Sequence, residues 1–574
     1  MTVPYNETQY QRDERLKAQL ELDRVSFLSH WRDLADYLLP RRARFTVTDV
    51  NKGDRRNQKI LDSTGTLAVR TLRSGMMSGI TSPSRPWFRL TVPDPDLAEM
   101  GAVKRWLHDV TQRMETVFLR SNLYNSLPTI YGDLGVFGTA ALLVEEDFTG
   151  EVLRTMALPV GSYSLGVDAR GQVTVFVREL QMTVRQLVAE FAVERGQPSW
   201  AHVSPYVKAL WERGERETGI QVCHIIQPNE AYRPGPGPAA TKRFRSVYYE
   251  RGFASSGTTS YLAAAPTSVL REGGYDRFPI LTPRWETTGE DAYGTSCPGM
   301  EALGDVKQLQ LGEKRLLQAI EKMLNPPMVG PTVLKTTKAS ILPGDITHLD
   351  IREGQQGFRP VYQVDPRIQE MSLKQEEVRQ RIRKAFYEEL FLMFANMTRR
   401  DITAREIEER HEEKLLALGP VLEQMNQDLL DPLVEVVFGY MSAQGLLPPP
   451  PPELQEAPDL KVEYVSIMAQ AQQIIGLGGI ERLASFTGQL AQAHPPVLDK
   501  LNFDQMVDVY AARLGVDPHL TRTDEEVETV RAERAQAQQA AAQAEMIAQG
   551  AKAAKDLSGA KMGEDNALTR LVTA

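Results

Sequence analysis

The residues of this 574-residue chain that could do chemistry are few, and their spacing assembles no reaction. Gly132, Gly135 and Gly138 fall three apart. A dinucleotide-binding turn needs G-x-G-x-x-G after a strand, whereas a three-residue spacing suits helices packed backbone to backbone. No G-x-x-x-x-G-K-S/T string occurs, so the loop and lysine that cradle nucleotide phosphates in a motor ATPase are missing. The chain is therefore not an energy source. G-x-S-x-G, H-E-x-x-H and the calcium-loop pattern are absent as well. His224 directly follows Cys223, and adjacent residues of a strand face opposite sides, so the two do not make one site. The pair Asp94 and Asp96 stands among 75 acidic residues, a number at which close carboxylates arise by chance. Cys223 and Cys297 are the only cysteines and have no partners at metal-ligand spacing, which predicts packed thiols in a reduced compartment. No catalytic residue, no metal and no cofactor is expected, hence no enzyme.

With no reaction to place, the elements become the informative level. The chain is 42% hydrophobic and 25% charged, an ordinary globular composition at a length that usually means several domains. Its net charge of −9 excludes a polycation that coats nucleic acid along its whole surface, so any contact with DNA must be local. Met1 to Tyr5 carry no basic region ahead of an apolar stretch, and no apolar run approaches the ~20 residues of a membrane helix. Neither secretion nor a membrane partner is expected.

Residues 5–39 place Leu16, Leu20, Val25, Phe27, Leu28, Trp31, Leu34 and Leu38 at helical spacing until Pro40 stops the pattern, which predicts a long N-terminal helix. Ile60 to Met77 repeats the periodicity, Ser82-Pro83-Ser84-Arg85-Pro86 breaks it, a strand follows over 87–92, and another helix spans Leu97 to Arg120. From about 140 to 290 the character is β. Val173, Val175 and Val177 alternate with Thr174, Phe176 and Arg178 after a turn at Asp168 to Gly171, which is hairpin chemistry. The Pro/Gly-rich stretch 232–240 and the Ser/Thr/Ala-rich stretch 254–268 read as exposed loops.

Two helical patterns of similar length then flank a segment that cannot be helical. Met300, Leu303, Val306, Leu309, Leu316, Ile320 and Met323 set the first, over residues 299–324. Ile368, Met371, Val378, Ile382, Phe386 and Leu390 set the second, over 367–392. Each would be about 39 Å long, so the two could lie antiparallel as one hairpin. Asn325-Pro326-Pro327 ends the first, and Pro331, Pro343, Gly344, Gly354, Gly357 and Pro360 cut the intervening stretch into short strand-like pieces up to Asp365-Pro366. A small β-rich tip on a helical stalk results. Phe391 to Asp401 is a short interruption, and Thr403 with Glu406 is a capping-box signal for a new helix. Gly419-Pro420 starts the next helix, to about Tyr440, and prolines 448–452 form a stiff spacer. A further helical region runs to about Leu514. In residues 531–554, 11 of 24 are Ala and 5 are Gln, a helix former with too little apolar bulk to anchor itself.

Several strings stand in a telling order: Trp31-x-x-Leu34-Ala35-x-Tyr37-x-Leu39-Pro40-Arg41-Arg42, then Asp62-Ser63-Thr64, then Ser74-Gly75-Met76-x-Ser78-Gly79-x-Thr81-Ser82-Pro83-x-x-Pro86-Trp87-Phe88. Asp133-x-x-Val136-Phe137-Gly138-Thr139-Ala140, Tyr293-Gly294, Pro298-Gly299-Met300-x-Ala302-Leu303-x-Asp305, Asn325-Pro326-Pro327 and Thr403-Ala404-Arg405-Glu406-Ile407 come after them. Together, from about residue 25 to 440, they resemble the portal (head-to-tail connector) proteins of short-tailed bacteriophages.

The resemblance implies an α+β portal-like fold assembled as a ring, typically of twelve subunits, at one vertex of the capsid around a channel for double-stranded DNA. It divides the chain into a β-containing wing (1–297), a first stem helix (298–325), a small β-rich clip (326–366), a second, antiparallel stem helix (367–392), a channel loop (393–402), a helical wing and crown (403–520) and an Ala/Gln-rich helical tail (521–574). The clip would face the terminase during packaging and the tail adaptor afterwards, with Lys335, Lys338, Asp345, His348, Arg352 and Glu353 as docking candidates. The DNA-channel candidates are Lys307, Lys314 and Lys322 on the first stem helix, Arg379 and Arg383 on the second, and Asn396, Arg399 and Arg400 in the loop. Capsid or scaffold proteins complete the partners. The ring would assemble in the host cytoplasm and reside in the virion.

The net acidity fits a conduit, because each phosphate neutralised adds about 0.9 to the salt slope of binding and a uniformly basic bore would hold DNA that must slide. The stem charges read equally well as intersubunit ion pairs or a solvated face, and Arg399 and Arg400 as partners of Glu406 or Glu408. A DNA-packaging enzyme, such as a terminase or nuclease subunit, is the competing class. The missing phosphate loop and acidic metal cluster count against it. Another virion structural protein, such as a tail adaptor or scaffold, is the third reading, and the helical hairpin with its long non-helical tip favours a portal over it.

Overall fold

The computed structural model describes residues 9–42, 44–45, 56–94, 97–98, 100–147, 152–194, 197–200, 202–233, 241–251, 269–289, 291–330, 359–360, 368–396, 418–454, 461–465, 482–491, 494–514, 522 and 524–559. Most of the two expected loops over 232–240 and 254–268, nearly all of the clip with its six docking candidates, and the stretch holding Arg399, Arg400, Thr403 and Glu406 lie outside the described residues. The chain divides into two units. The first is Met1–Arg89, Thr111–Leu447 and Val462–Ile475, and the second is Leu90–Val110, Pro448–Lys461 and Gly476–Ala574. Helices and antiparallel sheets share the fold, an α+β arrangement. No helix among the described residues is long and apolar enough to cross a membrane.

The chain opens on the helices α1 (Gln9–Tyr37), α2 (Thr64–Gly79), α3 (Gly101–Arg120) and α4 (Leu123–Phe137), with the short strand β1 (Phe88–Thr91) ahead of α3. In the first unit α4 is the innermost, with Leu127, Ile130, Tyr131, Leu134 and Phe137 fully buried, as a helix apolar all round must be. Its glycines let α2 approach. A Cβ on Gly135 would lie 2.6 Å from Leu72 Cδ2, and one on Gly132 would lie 2.7 Å from Arg73 Cδ. Gly138 ends α4 in the left-handed conformation, at φ 74°, with the Gly294 carbonyl 2.5 Å from where a Cβ would stand, so only glycine closes this turn. Gly132 and Gly135 serve packing, as the spacing suggests, whereas Gly138 serves as the cap. α1 lies on the same core, where the Trp31 indole donates to Phe137 O at 3.2 Å and meets Tyr293 edge-on.

α2 begins four residues later than the periodicity suggests. The backbone N–H groups of Leu61 and Asp62 donate instead to the Gln310 carboxamide oxygen, at 2.6 and 2.8 Å, and Asp62 Oδ1 accepts the Thr64 N–H at 2.7 Å. The helix can start only after these donors are taken.

The β region follows as expected. β2 (Ala141–Asp147) and β3 (Val152–Leu158) form a three-stranded sheet with β11 (Ile280–Leu281), in the order β11-β2-β3. β4 (Tyr163–Val167), β5 (Val173–Thr183), β8 (Gly219–Pro228), β9 (Phe244–Glu250) and β10 (Val269–Tyr275) form an antiparallel sheet in the order β10-β9-β8-β5-β4, while β6 (Val193–Glu194) and β7 (Gln197–Pro198) make a separate short ladder. The β4–β5 turn is held by Asp168 Oδ1, which accepts the Arg170 and Gln172 N–H groups at 2.9 Å each, with Gly171 at φ 74°.

One face of the five-stranded sheet packs on α1 through Val177, Cys223, Ile225, Val247 and Tyr249 around Leu20. The other, through Val222 and Tyr248, packs on α5 (Val184–Phe191) and α6 (Pro205–Glu212). Cys223 and His224 therefore do face opposite ways. His224 Nε2 lies 3.0 Å from Ser246 Oγ and its ring stacks on Tyr248, and burial holds its pKa well below the usual value. Burial also pushes both thiols up to about 12, and Cys297 Sγ donates to Val136 O. They are packed thiols. Charge enters this interior too: Lys17 of α1 is buried against Glu179 at 2.5 Å, and Asp13 against Arg245 at 3.2 Å.

α7 (Pro298–Leu324), α8 (Ile368–Ala385) and α9 (Glu388–Asn396) form the middle of the chain. A helix described from residue 418 passes through a π turn, Asn426–Leu430, into α10 (Asp431–Ala443). In that turn Asp428 accepts two hydrogen bonds from the buried Arg284, at 3.0 and 3.1 Å. In the second unit Trp106 donates to Pro448 O at 3.0 Å, at the head of the proline run. α11 (Phe503–Leu514) and the long α12 (Asp524–Gly559) follow, tied by a two-pronged ion pair of Arg531 on Asp504 at 2.7 Å. Residues 526–550 of α12 are solvent-exposed nearly throughout, as the Ala/Gln composition leads one to expect.

Candidate functional site

Cys297 precedes α7 in extended conformation and Pro298 takes its first position, which suits a residue with no N–H to satisfy. α7 and α8 pack antiparallel. Arg381, near the end of α8, forks onto Asp305 near the start of α7 at 2.7 and 3.2 Å, while Gln375, earlier in α8, faces Gly312, later in α7. Val306, Leu309, Val378 and Ile382 are buried along the pair. Past Leu324, β12 (Met328–Val329) pairs antiparallel with β13 (Arg359–Pro360), so a short ladder stands where the expected tip begins.

The second helix is not the single 26-residue rod that its periodicity suggests. α8 ends at Ala385, Phe386 and Tyr387 form a turn with Tyr387 at φ 55°, and α9 resumes at Glu388. The expected loop also shifts, because Phe391 to Asn396 are helical rather than an interruption. A left-handed tyrosine costs roughly 1–2 kcal/mol. Burial of Phe386, Leu390 and Phe391, at about 1.5–3 kcal/mol for each such side chain, outweighs it. Phe391 lies directly on Gly75 of α2, where a Cβ would stand 2.3 Å from its own. That contact spans more than 300 positions of sequence and has no local signature.

The basic candidates fall into two groups. Arg379 is held by Asp62 at 2.9 Å, Glu313 at 2.5 Å and Glu376 at 3.3 Å, so its guanidinium joins α8 to α7 and to the lead-in of α2. Burial opposes charge on Asp62, but hydrogen bonds from Thr64 and the Arg379 guanidinium win and hold its carboxyl below the usual range. Arg383 reaches Glu376 at 3.1 Å and Glu388 at 3.7 Å. Lys307 pairs with Asp33 at 2.6 Å and stands over the Tyr37 ring. Lys314 and Lys322, by contrast, are exposed and make no ion pair among the described residues. Arg315, which is not among the sequence candidates, shares both properties. Its signal was available: at about 100° per residue, positions 307, 311, 314, 315, 318 and 322 fall within one ~100° sector of α7. Asn396 closes α9, while Arg399, Arg400 and the six clip candidates lie outside the described residues.

This stripe can contact phosphate oxygens, which are bound by Lys and Arg without regard to sequence. Among the described residues no group of three or more His, Cys, Asp or Glu could hold a metal ion. Large apolar side chains on the same helices, Leu311, Leu317 and Leu324 of α7 and Leu373 of α8, are more than half exposed in the single chain.

The sequence matches the family described as "Bacteriophage head to tail connecting protein" over residues 11–521. It is 47% identical over 568 residues to the "Portal protein" of Salmonella phage epsilon15, covering 99% of both chains. It is 43% identical over 556 residues to the "Probable portal protein" of Bordetella phage BPP-1, covering 97% of this chain and 96% of the relative. Among solved structures, a chain of the virion of a native gene transfer agent particle aligns over 80% of this chain and 91% of its own, at 10% identity and a TM-score of 0.35. The long, high-identity matches are decisive: the chain belongs to the bacteriophage head to tail connecting proteins.

Proposed function

We propose that copies of the chain close into a ring, typically of twelve, at one vertex of the capsid and form the conduit through which double-stranded DNA enters and leaves. The observation that carries this reading is the near full-length likeness to phage portal proteins. The antiparallel α7–α8 pair supports it as the stem, with β12 and β13 at the base of a clip over 326–366 that would dock the terminase and then the tail adaptor. The exposed leucines of α7 and α8 become neighbour contacts in such a ring, because a heterologous cyclic interface covers a helix pair on both flanks. Residues 1–297 and 403–520 would supply wing and crown, and capsid or scaffold proteins would surround them. Assembly takes place in the host cytoplasm and the ring remains in the virion as a structural part, not an enzyme.

Within the channel, Lys314, Arg315 and Lys322 of α7 are the residues proposed to guide phosphates. Lys307, Arg379 and Arg383 serve the fold and the stem, their charge spent on carboxylates. Replacing Lys314, Arg315 and Lys322 together with Ala should leave ring assembly intact. The salt slope of DNA binding by purified rings should then fall by about 0.9 for each phosphate that is no longer neutralised. An unchanged slope with fewer assembled rings would assign the stripe to the subunit interface instead.

A further inference from the structure

The bend between α8 and α9 stands in a segment that has no reason of its own to bend. From Ile368 to Asn396 there is no Gly and no Pro. Met371, Val378, Ile382, Phe386 and Leu390 continue a helical stripe straight through the break. Kinks ordinarily come from Pro, from Gly or from a side chain inserted in the hydrogen-bond ladder. Here the break falls on Tyr387, a bulky residue held at φ 55°, in a conformation that side chains with a Cβ avoid. Its N–H turns back to the Lys384 carbonyl, three residues earlier, at 3.1 Å.

The restraint that holds the bend lies outside the segment. α2 touches both halves: Asp62, just ahead of it, grips Arg379 of α8 at 2.9 Å, and Gly75, near its far end, receives the Phe391 ring of α9. These anchors are 13 residues apart, about 20 Å along a helix. Across the bend Arg383 reaches Glu388 at 3.7 Å, and Glu388 and Glu389 occupy the first turn of α9, where negative charge suits the helix dipole. An open cleft lined by Arg381, Arg383, Lys384, Glu388, Glu389 and Leu392 lies at the bend.

We infer that α8 and α9 are a two-state element: the bent form clipped by α2, and a straight continuous helix adopted when Phe391 leaves Gly75. The local sequence favours the straight form, through helix-forming residues, an unbroken apolar stripe and relief of the left-handed tyrosine. The tertiary contacts with α2 favour the bent one. Opposed preferences of this kind make a bistable element, because each form is complete and forms between them are not.

The test uses the full-length assembled protein, with Leu373→Cys and Leu392→Cys carrying spin labels and labelled chains diluted in unlabelled ones so that only distances within one chain are read. Native Cys223 and Cys297 are buried and do not compete for label. A straight helix separates these positions by about 28 Å along its axis, and the bent form by less. Two resolved distances are expected in the wild type. Gly75→Ala, which sets a Cβ against Phe391, should raise the straight population at least threefold. Tyr387→Gly, which removes the left-handed penalty and weakens the straight helix, should drive the population to the bent distance. Tyr387→Gly is tolerated by both forms, so it keeps the test decisive if Gly75→Ala lowers the yield of folded protein. A single distance unmoved by either substitution would overturn the inference. So would a broad, featureless distribution in Gly75→Ala, which would mean that α9 frays instead of straightening.

Discussion

Glu115 carries a charge problem that the fold leaves unsolved. One of its carboxylate oxygens is buried with no hydrogen-bond partner, beside the Tyr124 hydroxyl that accepts the Trp87 indole N–H at 3.1 Å. Burial pushes the carboxyl up to about 7. Because the folded value lies above the unfolded one, the folded state holds the proton more tightly. The contribution to stability is full below the unfolded pKa and is lost as pH rises through about 7. Glu115→Gln should therefore stabilise the protein at pH 8, by about 1 kcal/mol after allowing for the screening of a half-exposed group, and do little at pH 5. Thermal midpoints at the two pH values check this, and an equal shift at both would show that Glu115 is not the titrating group. Several residues were legible from sequence at this scale. The glycine triplet, the two thiols and the opposed Cys223 and His224 follow from spacing and strand alternation alone. Glu115 was not, because its isolation depends on burial and on the Tyr124 hydroxyl that α4 brings beside it.

Among the elements, Arg379 marks where sequence periodicity stops being enough. The α7–α8 hairpin follows from two apolar stripes and the prolines between them. The attachment of this hairpin to α2 does not, since Asp62 lies 317 positions from Arg379. Removing the arginine leaves the largely buried Asp62 and Glu313 facing each other without a cation. Arg379→Ala should cost about 3 kcal/mol, near the lower end for breaking a buried pair because the guanidinium is 23% exposed. Arg379→Lys should recover only part of that, since one ammonium cannot fork to three carboxylates. Hydrogen exchange reads the difference locally: protection should fall in α2 and α8 together. Loss confined to α8 would mean that Asp62 is held by Thr64 and Gln310 alone. The break at Tyr387 was illegible for the same reason, for it is imposed by Gly75 on another helix.

For the whole molecule, the exposed faces of the single chain ask for neighbours, and the proposed ring would supply them. α12 exposes nearly all its described length and has too little apolar area to fold by itself, so it can gain order from neighbours without being the element that joins the subunits. Deleting residues 521–574 should spare ring formation, and loss of every oligomer would show that the main interface lies in the tail. The reading itself stands on closure. Electron cryomicroscopy of the purified full-length protein, without nucleotide or metal, should show closed rings pierced by a central hole wide enough for duplex DNA. A population that stays monomeric at micromolar concentration, or that grows into open filaments, would contradict it.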